Sequence, residues 1–296
     1  MKTAEYWLAR FVLTTLSFTS LRTANALARV YVRLLDLAVP RLRRTALKNL
    51  EMAGFAGRER ITTGVFDSIA RLVVSFARFP NINRENIHDW IRYEGLENFE
   101  QARSLGKGVL VATGHLGNWE LSAFAHAYLT SPMHIVVRPI DNRRIDALVE
   151  SRRQLSGNHA IGKKDAARGI LRALAAGEAV GVLIDQNTTV DQGVWIDFFG
   201  VPACAGSAFV KMAHHSGAPV VPGYAVWSDK EGRYVLHFEP AVEITGDVEQ
   251  DTQRVHARLE AAIRKHPDQW LWIHRRWKTR PPGEQAIYSE RSPVAK

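Results

Sequence analysis

The stretch Gly108-Val-Leu-Val-Ala-Thr-Gly-His-Leu-Gly-Asn-Trp-Glu120 begins as an apolar run and ends in a histidine and a carboxylate. Residues 108–113 read as a buried strand, and Gly114 and Gly117 loosen the backbone on either side of His115. On a continuous helix a separation of five residues turns the second side chain about 140° from the first, so His115 and Glu120 would not share a face. A bend between them removes the difficulty. Asn118 is a good N-cap, which puts Trp119 and Glu120 in the first turn of a helix running to Tyr128, with His115 in the turn before it. Glu120 then sits near the positive end of a helix dipole and can accept a hydrogen bond from the imidazole, fixing its tautomer. His115 is the candidate general base and Glu120 its orienting partner. The competing reading is a loop histidine beside a solvated first-turn glutamate.

Working outward, helical patterns cover residues 45–53, 59–79 and 96–104, then 143–155, 166–175 and 208–215. Extended patterns cover 134–137, 179–184, 220–226 and 234–238. Strands alternating with helices imply an α/β fold: a mostly parallel or mixed sheet covered by helices on both faces. Ligands of such sheets meet the loops beyond the carboxyl ends of the strands, where His115, Arg138 and Asp185 all fall. No nucleophile stands out. A Gly-x-Ser-x-Gly elbow is absent, and the single cysteine, Cys204, has no setting that marks it as reactive. A catalytic His115 would therefore activate a hydroxyl carried by the substrate, giving direct group transfer.

The residues then support a resemblance. The His115-x4-Glu120 motif after a strand resembles that of the glycerolipid and lysophospholipid acyltransferase superfamily. Val137-Arg138-Pro139, Asn158 with Lys163-Lys164-Asp165, Asp185-Gln186, Phe198-Phe-Gly200, Val221-Pro222 and the closing Trp272-Ile-His-Arg-Arg-Trp-Lys-Thr-Arg-Pro281 narrow it to the late lauroyl and myristoyl acyltransferases of lipid A biosynthesis. The resemblance runs over residues 1–282 and is strongest from Gly108 onward. It implies an O-acyltransferase of the inner membrane's cytoplasmic face, moving an acyl group from acyl carrier protein or coenzyme A to a lipid A precursor hydroxyl, without a cofactor. Phosphatidylinositol mannoside, lysophospholipid and ornithine-type lipids are alternative acceptors, which the motifs separate poorly. The phosphate-binding Glu-Gly-Thr block of the glycerol-phosphate enzymes is replaced by Asp185-Gln-Asn187, which argues against a simple glycerol-3-phosphate acceptor.

With this resemblance, Arg138 is expected to contact an acceptor phosphate or the thioester, because a guanidinium is a planar fork suited to phosphate. Asp185, Gln186 and Asn118 are expected to line the substrate pocket. Amides of residues 117–119 are expected to face an oxyanion. Lys163, Lys164, Arg275, Arg276, Lys278 and Arg280 are read as a surface for phosphates, headgroups or an acidic carrier protein. His214 and His215 point to different sides of a helix and have no convincing further metal ligands. Trp270, Trp272 and Trp277 suit either a membrane interface or the core.

Composition sets independent bounds. Lys plus Arg number 39 against 30 Asp plus Glu, a net charge of +9 that predicts an anionic partner. The 296 residues, 46% hydrophobic, contain no low-complexity linker. Residues 1–55 are read as a membrane-associating helical region and 56–296 as the acyltransferase domain. A lone cysteine fits a reducing compartment.

The basic excess is concentrated in the first sixty residues, interleaved with apolar side chains. Over residues 6–21 a helical wheel puts Trp7, Leu8, Phe11, Val12, Leu16 and Phe18 on one broad face and Arg10, Thr14 and Ser17 on a narrow polar strip. The uncharged run 11–21 is short of the about twenty residues that cross a bilayer. An amphipathic helix in the headgroup region of an anionic membrane fits this pattern, and its test is that deleting residues 1–40 should release the protein to the soluble fraction. Packing on the protein's own core and a short tilted span are the alternatives. A thioester or ester hydrolase would use the same histidine and carboxylate. Nucleic acid is not expected as a partner, because the basic residues interleave with apolar ones and no nucleic-acid module is present.

Overall fold

A computed structural model describes residues 2–162 and 166–288. The chain opens with α1 (Lys2–Phe18), α2 (Leu21–Ala38), α3 (Pro40–Met52) and the long α4 (Arg58–Arg78). Ser20 caps α2 by accepting from the Thr23 amide, and Pro40 opens α3, where its fixed φ and missing N–H cost nothing. On α2 the buried residues Ala24, Ala28, Val32 and Asp36 recur every four positions. Small side chains on that stripe let α2 lie close to α4.

There follow α5 (Ile87–Trp90), β1 (Ile91–Glu94), α6 (Leu96–Arg103), β2 (Val109–Thr113), α7 (Trp119–Leu129), β3 (His134–Val137), α8 (Arg143–Arg153), β4 (His159–Gly162), α9 (Ala166–Ala175) and β5 (Ala179–Leu183). The hairpin β6 (Gly193–Phe198) and β7 (Val201–Gly206) precedes α10 (Ala208–Ser216), β8 (Val220–Ser228), β9 (Arg233–Phe238) and α11 (Val248–Lys265). The main sheet has the order β1-β9-β8-β2-β5-β3-β4, every neighbouring pair parallel except β8 with β9.

The alternation of β2 divides the core between the sheet's faces. Val109 and Val111 pack with α4, α6 and α7, while Leu110 and Ala112 pack with α9 and α10. The expected α/β architecture with helices on both faces is therefore present. Periodicity missed β1, β4, the β6–β7 hairpin and α11. The first two are four-residue strands without the β-branched run Ile135-Val-Val137 that marks the equally short β3.

The amino-terminal helices are part of this packing. Leu13 and Leu16 of α1 and Ala24, Ala28 and Val32 of α2 belong to the same apolar cluster as Val109, Phe124 and Leu236. This corrects the wheel: Leu16 faces inward, and the outward face of α1 carries Trp7, Leu8, Phe11 and Phe18. Deleting residues 1–40 would thus uncover core, so point changes on the outward face are the cleaner test of membrane binding. No helix among the described residues is long and apolar enough to cross a membrane.

Candidate active site

Strands β2 and β5 run parallel with Thr113 beside Leu183, and the Ile184 amide donates to the Thr113 carbonyl at 2.9 Å. Extending that register past both strand ends sets His115 beside Asp185. Asp185 Oδ1 accepts from His115 Nδ1 at 2.9 Å, and Oδ2 accepts from the His115 backbone N–H at 2.8 Å. The indole of Trp270 donates to the same Oδ2 at 2.8 Å. Gly114 makes room for this pairing, since a Cβ there would stand 2.9 Å from Leu259 and 3.2 Å from the Asp185 carboxyl carbon.

Asp185 is fully buried. Burial favours its neutral acid, but the facing His115 and the donated hydrogen bonds outweigh this and hold the carboxyl well below the usual carboxylate range. The converse holds for His115: burial disfavours the imidazolium, yet the Asp185 charge and hydrogen bond prevail and raise its pKa above the ordinary histidine value. With Nδ1–H committed to Asp185, the neutral ring presents Nε2 as a base. The side chain is 12% exposed, and the only ring hydrogen bond it makes among the described residues is the one at Nδ1.

The expectation that Glu120 orients His115 is corrected here. Glu120 instead makes a bidentate pair with Arg153 of α8, at 2.9 Å and 2.5 Å. Arg153 carried no signal in the sequence beyond a polar helix position. The expectation that Asp185 lines a substrate pocket is corrected as well, because its oxygens are spent on His115 and Trp270 in the interior.

Asn118 caps α7 as the sequence indicates, accepting from the Leu121 amide at 3.0 Å and donating to Ser75 Oγ of α4 at 2.6 Å. It is 0% exposed, so its expected place in a substrate pocket is replaced by a structural one. Gly117 has φ +63°, and a Cβ there would lie 1.9 Å from the Ala225 carbonyl oxygen. Only glycine allows the turn to approach β8 so closely. The Gly117 and Asn118 amides are occupied by the carbonyls of Gln269 and Ala225, both at 2.8 Å. Of the amides expected to face an oxyanion, Trp119 N–H therefore remains, joined by Glu120 N–H at the head of α7.

Beside this pair an apolar cleft opens between the sheet and helices α7 and α8, with an empty volume of about 630 Å³ including its mouth. Val111, Ile135 and Leu183 form the sheet side, Ala123 and Trp119 the helix side, and Glu120 and Arg153 stand in its wall. Gly181, lacking a side chain, widens it. Trp119 belongs to both features, since its ring also meets the His115 ring edge-on at 4.8 Å between centroids. His126, further along α7, lines the same cleft, with Nδ1 bonded to the Tyr93 hydroxyl at 2.8 Å. Burial, with a contribution from Arg103, pulls its pKa down to about 4, so it is neutral near neutral pH.

The other expected residues are dispersed. Arg138 follows β3 and is exposed, with no polar partner among the described residues, and Gln186 is exposed beyond β5. Lys164 lies outside the described residues, as do Lys163 and Asp165. Arg275 and Lys278 are on the surface, but Arg276 is fully buried and donates to the Cys204 carbonyl at 2.9 Å. Burial lowers its pKa to about 10. Its expected surface role gives way to one inside the carboxyl-terminal strap, residues 270–288, which follows α11. Trp270, Trp272 and Trp277 are each 0% exposed, which selects the core over a membrane interface. Among the described residues no three His, Cys, Asp or Glu side chains converge to hold a metal ion.

A sequence profile of the family described as bacterial lipid A biosynthesis acyltransferase matches residues 1–279. The chain is 30% identical over 294 residues to a lipid A biosynthesis palmitoleoyltransferase of Escherichia coli, covering 96% of this chain and 95% of that protein. It is 28% identical over 277 residues to the lipid A biosynthesis lauroyltransferase of the same organism, covering 91% and 85%. A lipid A biosynthesis acyltransferase of Haemophilus influenzae is 25% identical over 284 residues, covering 94% and 89%.

Proposed function

This chain belongs to the bacterial lipid A biosynthesis acyltransferase family and is an acyltransferase; on that premise we propose that it moves a fatty acyl group from a thioester of acyl carrier protein or coenzyme A to a hydroxyl of a lipid A precursor. The observation that carries this reading is that one side chain, Trp119, joins an oriented imidazole to an apolar cleft. A fatty chain in the cleft would leave its carbonyl at the mouth, beside Glu120, Arg153 and the His115 ring.

In the proposed step, His115 Nε2 takes the proton of the acceptor hydroxyl, and that oxygen attacks the thioester carbonyl. The Trp119 and Glu120 amides at the positive end of α7 are suited to the oxyanion that forms. Collapse expels the thiolate, which recovers the proton from the imidazolium, leaving an ester and a thiol. Asp185 holds the ring in one tautomer and offsets the imidazolium charge. The Glu120–Arg153 pair shapes the mouth and offers guanidinium donors to the donor's polar end. The enzyme would work from the cytoplasmic face of an anionic inner membrane, with the outward side chains Trp7, Leu8, Phe11 and Phe18 set into the headgroup region.

The test offers the purified protein acyl carrier protein and coenzyme A thioesters with candidate lipid acceptors, and identifies products by mass spectrometry. His115→Ala should reduce transfer at least about a thousandfold while the circular dichroism spectrum is retained. An active, folded mutant would end the proposal. Thioester cleavage at an equal rate without any acceptor would replace transfer by hydrolysis.

A further inference from the structure

A second cleft lies between α3 and the carboxyl-terminal strap, with an empty volume of about 1530 Å³ including its open side. Arg41, Arg44 and Lys48 line one wall and Arg275 and Tyr288 the other. The spacing of three and then four residues along α3 puts the first three cations on one helical face. No carboxylate lines this cleft among the described residues, and Arg41, Arg44 and Arg275 have no ion-pair partner there. Lys48 alone is paired, to Glu51 at 3.2 Å, an exposed contact that water and salt weaken. Elsewhere on α3 the chain does neutralise an arginine: Arg43 holds Asp36 at 2.7 Å and Glu59 at 3.1 Å. The arginines that α3 leaves without a carboxylate are thus the two that face the cleft.

Three further features bear on what fills it. The positive end of α3 begins at Pro40, inside the cleft. Ala38, Val39 and Ile287 give the cleft an apolar rim, and the last turns of α2, which lead into it, expose Leu34 at 57% and Leu37 at 63%. The wall is braced, since the Tyr288 hydroxyl donates to Asn49 Oδ1 at 2.6 Å and the Asn49 amide donates to the carbonyls of Trp272 and His274 at 2.7 Å and 2.8 Å. Guanidinium forks around a braced cavity suit a phosphate, and an apolar rim suits a ligand that also carries hydrocarbon. A nucleic acid satisfies the charge but not the rim.

We propose that the Arg41–Arg44–Lys48–Arg275 cleft binds the phosphate of an anionic lipid headgroup, apart from the acyl cleft. The membrane-surface reading bears on this only as the source of the phosphate.

The experiment uses the full chain and flotation with phosphatidylcholine vesicles carrying phosphatidic acid. The R44Q/R275Q protein should bind about thirtyfold more weakly than the unaltered protein, from roughly 1 kcal/mol per basic residue near an anionic surface. A control of equal charge change on α10 and α11, K211Q/R258Q, should weaken binding less than about threefold. Equal losses in the two variants, or no loss in R44Q/R275Q, overturn the proposal. Calorimetric titration with inorganic phosphate at matched ionic strength separates the sources, and a loss confined to free phosphate with vesicle binding intact overturns the lipid assignment. Flotation needs no turnover: failure of acyl transfer by His115→Ala leaves this readout unaffected, and a flotation failure leaves the acyl-transfer reading standing.

Discussion

Replacing Asp185 by asparagine separates the electrostatic part of the site from its shape. The carboxylate accepts three hydrogen bonds, two at Oδ2 and one at Oδ1, from His115 N–H, Trp270 Nε1–H and His115 Nδ1. An asparagine oxygen in the Oδ2 position keeps two of them. The NH2 group then faces His115 Nδ1, and the ring resolves the donor–donor conflict by moving its proton to Nε2. That is the wrong tautomer for a base. By analogy with a buried aspartate behind a catalytic histidine, kcat/KM should fall by about 10³ to 10⁴, or roughly 4 to 5.5 kcal/mol of lost transition-state stabilisation. Stability should suffer less. Exchanging charge-assisted for neutral hydrogen bonds costs about 1 kcal/mol each, partly offset because a neutral amide is cheaper to bury, for a net of about 1 to 3 kcal/mol.

The pH dependence carries a second signature. The His115 pKa is raised above its ordinary 6.5, so activity through the neutral base should climb with pH along a limb centred above that value. Asp185→Asn should move the limb to lower pH as well as lower it, since burial then acts on the ring opposed only by the weaker influence of Glu120. The stability linkage has a defined sign. A raised histidine pKa contributes below its unfolded value and is lost as pH rises through the folded value, whereas the depressed Asp185 pKa contributes above 3.8 and is lost on acidification. The pair should therefore stabilise most between about pH 4 and 6.5. Thiol release from an acyl thioester with acceptor present, measured from pH 5 to 9 beside thermal melts, reads both effects. A folded Asp185→Asn protein within about tenfold of the unaltered rate, or with an unmoved limb, would refute the reasoning.

Two more substitutions test other parts of the site. Glu120→Gln removes half of a bidentate pair and should lower kcat/KM about ten- to a hundredfold, while the acid limb moves less than in Asp185→Asn because Glu120 is the smallest influence raising the His115 pKa; a limb shifted as far would return the orienting role to Glu120. Gly117→Ala meets both a left-handed φ and the Ala225 carbonyl, and should cost about 3 to 5 kcal/mol, lowering the melting temperature by roughly 10 °C; a melt unchanged within a degree or two would contradict the close approach.

Much of the frame is visible in the chain alone. The run before His115, the cap at Asn118 and the helix after it follow from local backbone preference, and the structure bears them out as β2 and α7. Local rules also find β3 and α9. They fail at β1 and β4, which are as short as β3 but lack its run of β-branched residues, and at the direction of Leu16, where a wheel shows a face but not which neighbour covers it.

The partners of His115 are of another kind. Asp185 is seventy residues away in the chain, and it reaches the imidazole because β5, not another strand, lies beside β2 in the register that sets Thr113 against Leu183. Glu120 is near in sequence, but α8 packs so that Arg153 takes it. The amino-acid order determined the strand, the turn, the helix and the chemical types at their junction, because those depend on residues a few positions apart. Which carboxylate meets which base was decided by tertiary structure alone, because a hydrogen bond of 2.9 Å depends on strand order and side-chain packing, and neither is written in local periodicity.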